Sequence, residues 1–226
     1  MAELLAALHN PDGSVAVPGF YDDLRTLSAD ERAALARVPY GEAELLRESG
    51  APAAWGEAGF TIVERIGARP TLEINGMWGG FTGEGFKTVI PGEAHAKISC
   101  RLAPDQNPAR IGAAIAAYLR QLAPPTVRIA LREYHSGPAF LSPIDDPAMQ
   151  AAARAYARVF GAEPVFTREG GSIPVAAVIQ QALGIPIIFM GFGLGDDNLH
   201  APNEKFHLPN FYRGIETVIA FFEELG

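Results

Sequence analysis

The side chains that could do chemistry gather in three places. The first is residues 191–206, GFGLGDDNLHAPNEKF, which follow the apolar run PIIFM and carry His200 behind Asp196 and Asp197. A histidine near the C-terminal end of a buried strand sits where open α/β sheets bind ligands. Neutral imidazole is the commonest metal ligand and a good proton carrier. The two carboxylates could hold its ring as outer-sphere partners; a surface histidine among turn-forming aspartates uses the same residues. The second place is REGGSIPV, residues 168–175, where Ser172 would cap a helix that Pro174 enters early. Amide groups at such a glycine-rich helix start favour an anion such as a substrate carboxylate, although a tight turn with a cap needs no ligand. The third is a polar strand face ending in Arg101, with Thr88 in the preceding strand of the same hairpin. A guanidinium there can hold a carboxylate with two parallel hydrogen bonds, or simply be solvated. His95 and Lys97 share that face and read as surface residues, as do His135, Lys205 and His207.

What the sequence omits is as informative. A catalytic zinc takes about three protein ligands and an open position, yet the chain has no HExxH, no CxxC pair and no HxD dyad. It has no G-x-S-x-G elbow, and its single cysteine, Cys100, falls on the apolar side of its strand. No residue is therefore assigned as catalytic acid, base or nucleophile.

The elements that must position these groups can be read from pattern. A short helix over residues 2–8 ends at the Asn10-Pro11-Asp12-Gly13 turn, which makes a signal peptide a poor reading. Acidic helical pieces follow at 28–38 and 41–48. LEINGMW reads as a strand and GGFTGEG as a flexible loop; FKTVI and AHAKISCRL read as a hairpin around Pro91-Gly92-Glu93. In the second of those strands Ala94, Ala96, Ile98, Cys100 and Leu102 face one way, and His95, Lys97, Ser99 and Arg101 the other. A helix from Pro108 to Leu122 and a strand TVRIALREY complete an α+β unit, and HSGPAFLSPIDDP reads as a linker. Beyond it helices at 147–160, 173–183 and 208–225 alternate with strands at 164–167 and 186–190, the order of helices around a mostly parallel sheet. The 226 residues, 48% apolar, suffice for one large or two small domains. No apolar run approaches a membrane span. A net charge of −8 argues against nucleic acid, whose binding needs clustered Lys and Arg. With one cysteine and no disulfide, a cytoplasmic setting is the default.

Three of these stretches together carry a resemblance. EINGMWGGFTGEGFKTVIPGEAHAKISCRLAPDQNP, REGGSIPV and GLGDDNLHAPNEKFHLPNFYRGIE closely resemble the co-catalytic dizinc metallopeptidases related to carnosinase, aminoacylase and succinyl-diaminopimelate desuccinylase, in their dipeptidase branch. The resemblance covers nearly the whole chain. It implies an incomplete ferredoxin-like α+β lid domain that also dimerises (residues 1–136, lacking its first strand). The C-terminal part of a doubly wound α/β catalytic domain would follow (137–226). His200 then matches the terminal zinc-ligand histidine and also contacts substrate. Ser172 matches the substrate-contacting serine of the GGSIP turn, Thr88 and Arg101 match lid residues that grip the substrate carboxylate, and Asn75 lies in the matching NG strand. The family's HxD motif, bridging aspartate and Glu-Glu pair have no counterpart in the sequence, which explains the missing ligands and implies a chain inactive by itself.

The function expected is thus the C-terminal portion of a dipeptidase or amidohydrolase acting on dipeptides or N-acyl amino acids. It would use two zinc ions, with manganese as the alternative metal, and form a homodimer through the lid, without nucleic acid or membrane. The alternatives are a non-catalytic dimerisation or small-molecule-binding module derived from the family, and one half of a split enzyme.

Overall fold

The computed structural model describes residues 1–170 and 173–226, and these fall into two compact units. One comprises Met1–Phe140 with Thr167–Pro174, and the other Leu141–Phe166 with Val175–Gly226.

The first unit is organised around a two-stranded antiparallel sheet, β1 (Thr71–Gly79) paired with β2 (Ala94–Arg101). Leu72 and Ile74 lie opposite Cys100 and Ile98 on the face that meets the core; Thr71 and Glu73 lie opposite Arg101 and Ser99 on the other. A bulge at Asn75 shifts the register, so that Gly76 pairs with Lys97 and Trp78 with His95 while Met77 opposes Ala96. One extra residue swaps the odd–even parity of β1, so that Met77 shares the face of Ala96 and Trp78 that of His95. Against the apolar face pack α1 (Ala2–Ala6), the 8–20 turn and α5 (Pro108–Leu122), through Leu5, Leu8, Val17, Phe20, Ile111 and Leu119. Leu8 and Phe20 are wholly buried, each contributing about 1.5–3 kcal/mol by leaving water. Gln106 ties this layer together, donating to the Phe20 carbonyl at 2.6 Å and accepting from the Ala103 amide at 2.8 Å. Asn107 caps α5 at the Ala109 and Arg110 amides, and Pro108 starts it without a donor to orphan.

Three short helices precede the sheet: α2 (Ala29–Leu35), α3 (Glu42–Ser49) and α4 (Ile62–Ala68). α2 and α4 each open with a reciprocal capping box, Ser28 with Glu31 and Thr61 with Glu64. Arg32 Nη1 bridges to the buried Glu64 carboxylate at 2.7 Å, and Arg69 forks onto Glu57 at 2.6 and 2.7 Å. The chain returns here at 167–170. Arg168 pairs with Glu31, and its carbonyl lies against Gly67, where a β-carbon would come within 2.1 Å of the oxygen.

The second unit is built on α6 (Pro147–Phe160), α7 (Pro174–Leu183) and α8 (Leu208–Leu225). Ala151, Ala152 and Ala155 of α6 and Gly214, Thr217 and Ala220 of α8 are buried. Such small residues let packed helices approach closely, and Arg154–Glu224 and Arg158–Glu223 ion pairs at 2.6 and 2.7 Å flank the contact. No helix among the described residues is long and apolar enough to cross a membrane.

Several expected strands differ. Segment FKTVI does not pair with β2; the partner is β1, and residues 80–93 form a connection. Gly79, Gly80 and Gly85 take positive φ (155°, 71° and 77°), and Phe86 and Ile90 are 95% and 97% exposed, so the segment has neither the backbone nor the burial of a strand. TVRIALREY, 164–167 and 186–190 form no strand, Thr126 and Val127 lying in a turn closed by the Val127 amide to Pro124 carbonyl bond of 3.1 Å, and the β1–β2 pair is the only sheet among the described residues. The mostly parallel sheet expected for the second unit is accordingly absent from them. Pairing is a non-local property, and here side chains take backbone carbonyls instead: Ser142 donates to Ile187 O at 2.5 Å, Tyr156 to Gly191 O at 2.8 Å and Asn210 to Phe192 O at 3.2 Å.

Cys100 faces the core as expected, and burial pushes its thiol from 9.0 up to about 11. Only thiolate reacts with disulfide reagents. Labelling at pH 8 is expected to run about a hundredfold slower than for an exposed cysteine, and to recover in denaturant. A native-state rate equal to that of a free thiol would contradict the burial.

Candidate functional site

The loop between residue 191 and α8 is built around one carboxylate. Asp197 is 1% exposed. Its Oδ2 accepts from the Leu194 amide at 2.7 Å, its own amide donates to the Leu194 carbonyl at 3.1 Å, and its carbonyl accepts from the Lys205 amide at 3.0 Å. The Lys205 ammonium closes the ring, reaching Asp197 Oδ1 at 3.1 Å and Asp196 Oδ2 at 2.9 Å. The Leu194 amide, and then Lys205, hold the Asp197 carboxyl below its ordinary 3.8 against the opposing pull of burial. Asp196 and then Asp197 raise the Lys205 ammonium above its ordinary value. Both ends of the clamp therefore stay charged through neutral pH.

Between the clamp's ends the chain turns left-handed three times, at Asn198 (φ 54°), His200 (φ 61°) and Asn203 (φ 62°). Asn and His tolerate this region better than most side chains. An Ala201 amide to Asn198 carbonyl bond of 2.9 Å stabilises the first turn. His200, at the second of these left-handed positions, is exposed. Asp196 and Asp197 thus shape the loop through Lys205; their carboxylates engage Leu194 and Lys205 rather than orienting the imidazole.

Among the described residues, no three His, Cys, Asp or Glu side chains converge to hold a metal ion. The exposed imidazole of His200 fits as one nitrogen donor, and the described residues do not complete a centre around it.

In the first unit the polar face of the sheet carries the remaining candidates. Arg101 stands on the β1–β2 rung with Thr71, exposed, and Asn75 is the exposed bulge residue four positions along β1. About 13 Å of strand separates the two rungs, so they do not converge on one small group within this unit. Thr88 is exposed in the 80–93 connection. His95 is more than a lone surface residue: it stacks on Trp78 (centroids 5.0 Å apart, 10° between planes), with Lys97 Nζ 5.8 Å from the same indole and Glu93 3.4 Å from the imidazole. Ser172 lies outside the described residues. Just before it, Arg168 is 91% buried in its side chain (9% exposed) and paired with Glu31.

Two partners were not apparent from sequence alone. Lys205 contacts carboxylates eight and nine positions back, a spacing no helix or strand rule flags; Arg168 meets Glu31 across 137 positions. Two cavities, of about 370 Å³ (Arg158, Val159, Glu216, Ile219, Ala220, Glu223) and about 290 Å³ (Val38, Tyr40, Val63, Ile66, Thr167, Arg168, Glu169), are lined by none of the candidate residues.

Comparison with known proteins identifies the family. The profile of peptidase family M20/M25/M40 matches residues 3–224. The chain is 29% identical over 229 residues to the Cys-Gly metallodipeptidase of Schizosaccharomyces pombe, covering all of this chain and 48% of that protein. It is 29% identical over 232 residues to the human Beta-Ala-His dipeptidase, covering all of this chain and 45% of that one. Among solved structures, an M20 family metallo-carboxypeptidase from Sulfolobus solfataricus superposes with a TM-score of 0.84 at 26% identity, over 97% of this chain and 50% of the other. The chain spans about half the length of the curated relatives it matches.

Proposed function

The chain belongs to peptidase family M20/M25/M40, and from that premise we propose that it is the C-terminal portion of a metal-dependent dipeptidase. Residues 1–136 serve as its lid and dimerisation domain and 137–226 as the end of its catalytic domain. The observation that carries this reading is the turn at 194–205: an Asp197–Lys205 clamp with its carboxylate buried and an exposed His200 between its ends. A chain needing only a surface loop has no use for three left-handed non-glycine residues and an ion pair on a buried carboxylate.

In this reading His200 supplies one imidazole to a two-metal centre and lies against the scissile group. Zinc is the metal expected, with manganese as the substitute. When bound, such a pair supplies an activated water and polarises a carbonyl. Arg101 and Thr88 hold the substrate's terminal carboxylate; Asn75, at the bulge, and Ser172 contact the substrate. Dipeptides are the substrate class, because the relatives' names specify a Cys-Gly and a Beta-Ala-His dipeptidase. N-acyl amino acids are the secondary class. The two-stranded sheet has both of its strands at an edge among the described residues, which suits pairing with a second copy.

The remaining donors come from outside the described residues, so the 226-residue chain alone does not turn over dipeptide. A non-catalytic dimerisation or small-molecule-binding module is the second reading, favoured by the lack of a three-donor group among the described residues. Co-expression with a family segment bearing HxD and Glu-Glu motifs separates the two. Metal-dependent dipeptide hydrolysis supports the enzyme, and a folded, metal-loaded complex without turnover supports the module.

A further inference from the structure

We infer that Lys205 is a positioning residue for His200: its ammonium, held by Asp196 and Asp197, locks the turn that presents the imidazole. This rests on the reading of His200 as a metal and substrate contact. The argument begins with what the turn costs. Asn198, His200 and Asn203 sit at φ 54°, 61° and 62°, and each left-handed residue is held only where surrounding structure over-determines it. Ladder bonds do not supply that constraint, because the loop lies outside both helix and strand. Local turns contribute, through the Ala201 amide to Asn198 carbonyl bond of 2.9 Å and the Glu204 amide to Ala201 carbonyl bond of 3.3 Å, but the bonds that tie the two ends of the loop together meet at two residues. Asp197 is tied to Leu194 on one side by amide–carboxylate and amide–carbonyl bonds of 2.7 and 3.1 Å. Lys205 is tied to Asp197 on the other by both main chain (3.0 Å) and side chain (3.1 Å). Its third contact, Asp196 at 2.9 Å, closes the arc from the outside. His200 lies within the arc, five residues before Lys205 and three after Asp197.

Removing the ammonium leaves the Asp197 carboxylate, 1% exposed, with the Leu194 amide and no cation to balance it. An unbalanced buried charge favours the conformation that lets water reach it. The loop then opens, and the imidazole loses its fixed direction without any change in its own chemistry. Arginine keeps the charge and reaches as far, so it should preserve the arc.

The test uses the full chain as wild type, Lys205→Met and Lys205→Arg. Amide hydrogen exchange is measured throughout, with long-range nitrogen–proton spectra of the imidazole rings. In Lys205→Met, exchange at the Leu194, Ala201 and residue-205 amides is expected to rise roughly ten- to hundredfold. The His200 ring signals should move to those of an unconstrained histidine. Amides within α6 and α8 should keep their protection, and Lys205→Arg should restore both loop signals. Unchanged loop exchange and an unchanged His200 ring in Lys205→Met would overturn the inference. So would acceleration spread equally through α6 and α8, which would mark a general stabilising role. Zinc added to the chain co-expressed with a family segment bearing HxD and Glu-Glu motifs reads the other premise separately. No zinc-induced shift of the His200 ring in that complex, with the exchange results as expected, removes the ligand assignment and leaves the clamp standing.

Discussion

In a complex that completes the metal centre, His200→Asn is expected to lower dipeptide turnover about a thousandfold. Metal-ion catalysis supplies several kcal/mol of charge stabilisation, and about 1.4 kcal/mol is one decade of rate. Losing a donor therefore removes about three decades. Asparagine is the informative substitution because it accepts the left-handed φ of 61° that the histidine holds, whereas alanine adds backbone strain to the loss of the ring. The imidazole is exposed, so the fold should tolerate the change, and an unchanged melting temperature is the control. Turnover within threefold of wild type would show that the ring holds no metal. Supplementing with excess zinc sharpens the result: a ligand defect is partly recovered at high metal, and a substrate-contact defect is not.

The second large effect concerns stability of the first unit. Gly67→Ala should destabilise it by roughly 3 kcal/mol, the upper end for overpacking. The added β-carbon would sit 2.1 Å from the Arg168 carbonyl oxygen and 2.7 Å from both the Arg168 carbonyl carbon and β-carbon. Those partners are backbone or next to it and have no flexible end to swing away. The 167–170 segment must lift off α4, breaking the Arg168–Glu31 pair, in which Arg168 is 9% exposed and Glu31 22%. Chemical denaturation followed by tryptophan fluorescence reads the loss, since Trp55 and Trp78 both lie in this unit. A shift below about 1 kcal/mol would mean that the segment rests only loosely there. Glu31→Gln, which keeps the volume and removes the charge, should give a smaller loss and separates packing from pairing.

How far the sequence carried these conclusions depends on whether a signal was local. α5, α6 and α8 begin and end where their patterns indicate, because Asn107 and Asp146 cap the first two and a proline stands in the first turn of all three. The alternation of β2 was equally plain, and Ala96, Ile98 and Cys100 do pack on the core. α4 also carries a local signal, since Thr61 and Glu64 spell its capping box, although its seven residues are too few to show a periodic apolar face. The partner of β2 was misassigned because Pro91-Gly92-Glu93 looks like a hairpin turn, while the true partner lies across the 80–93 connection. The bulge at Asn75 reads in sequence as a break in alternation and only in structure as the device that preserves it. The unladdered segments at 164–167 and 186–190 show the limit most clearly: an apolar run can declare itself extended, but only a neighbouring strand makes it part of a sheet.

The site divides the same way. A glycine-rich, Asp- and Asn-bearing loop after an apolar run reads as one that presents a side chain, and His200 is exposed within it. How it does so was hidden, because Lys205 reaches Asp197 only after the chain has turned left-handed three times between them. Lys205 in sequence is one more charged residue beside a helix. Arg101, Thr88 and Asn75 are legible as polar residues of an extended segment, and their roles rest on family resemblance.

Isothermal calorimetry of zinc against the purified 226-residue chain addresses the central claim most directly, that His200 is one donor of a centre whose other donors lie elsewhere. One weak site, abolished in His200→Asn, or no site at all, is the expected result. Two tight sites on the chain by itself would contradict it.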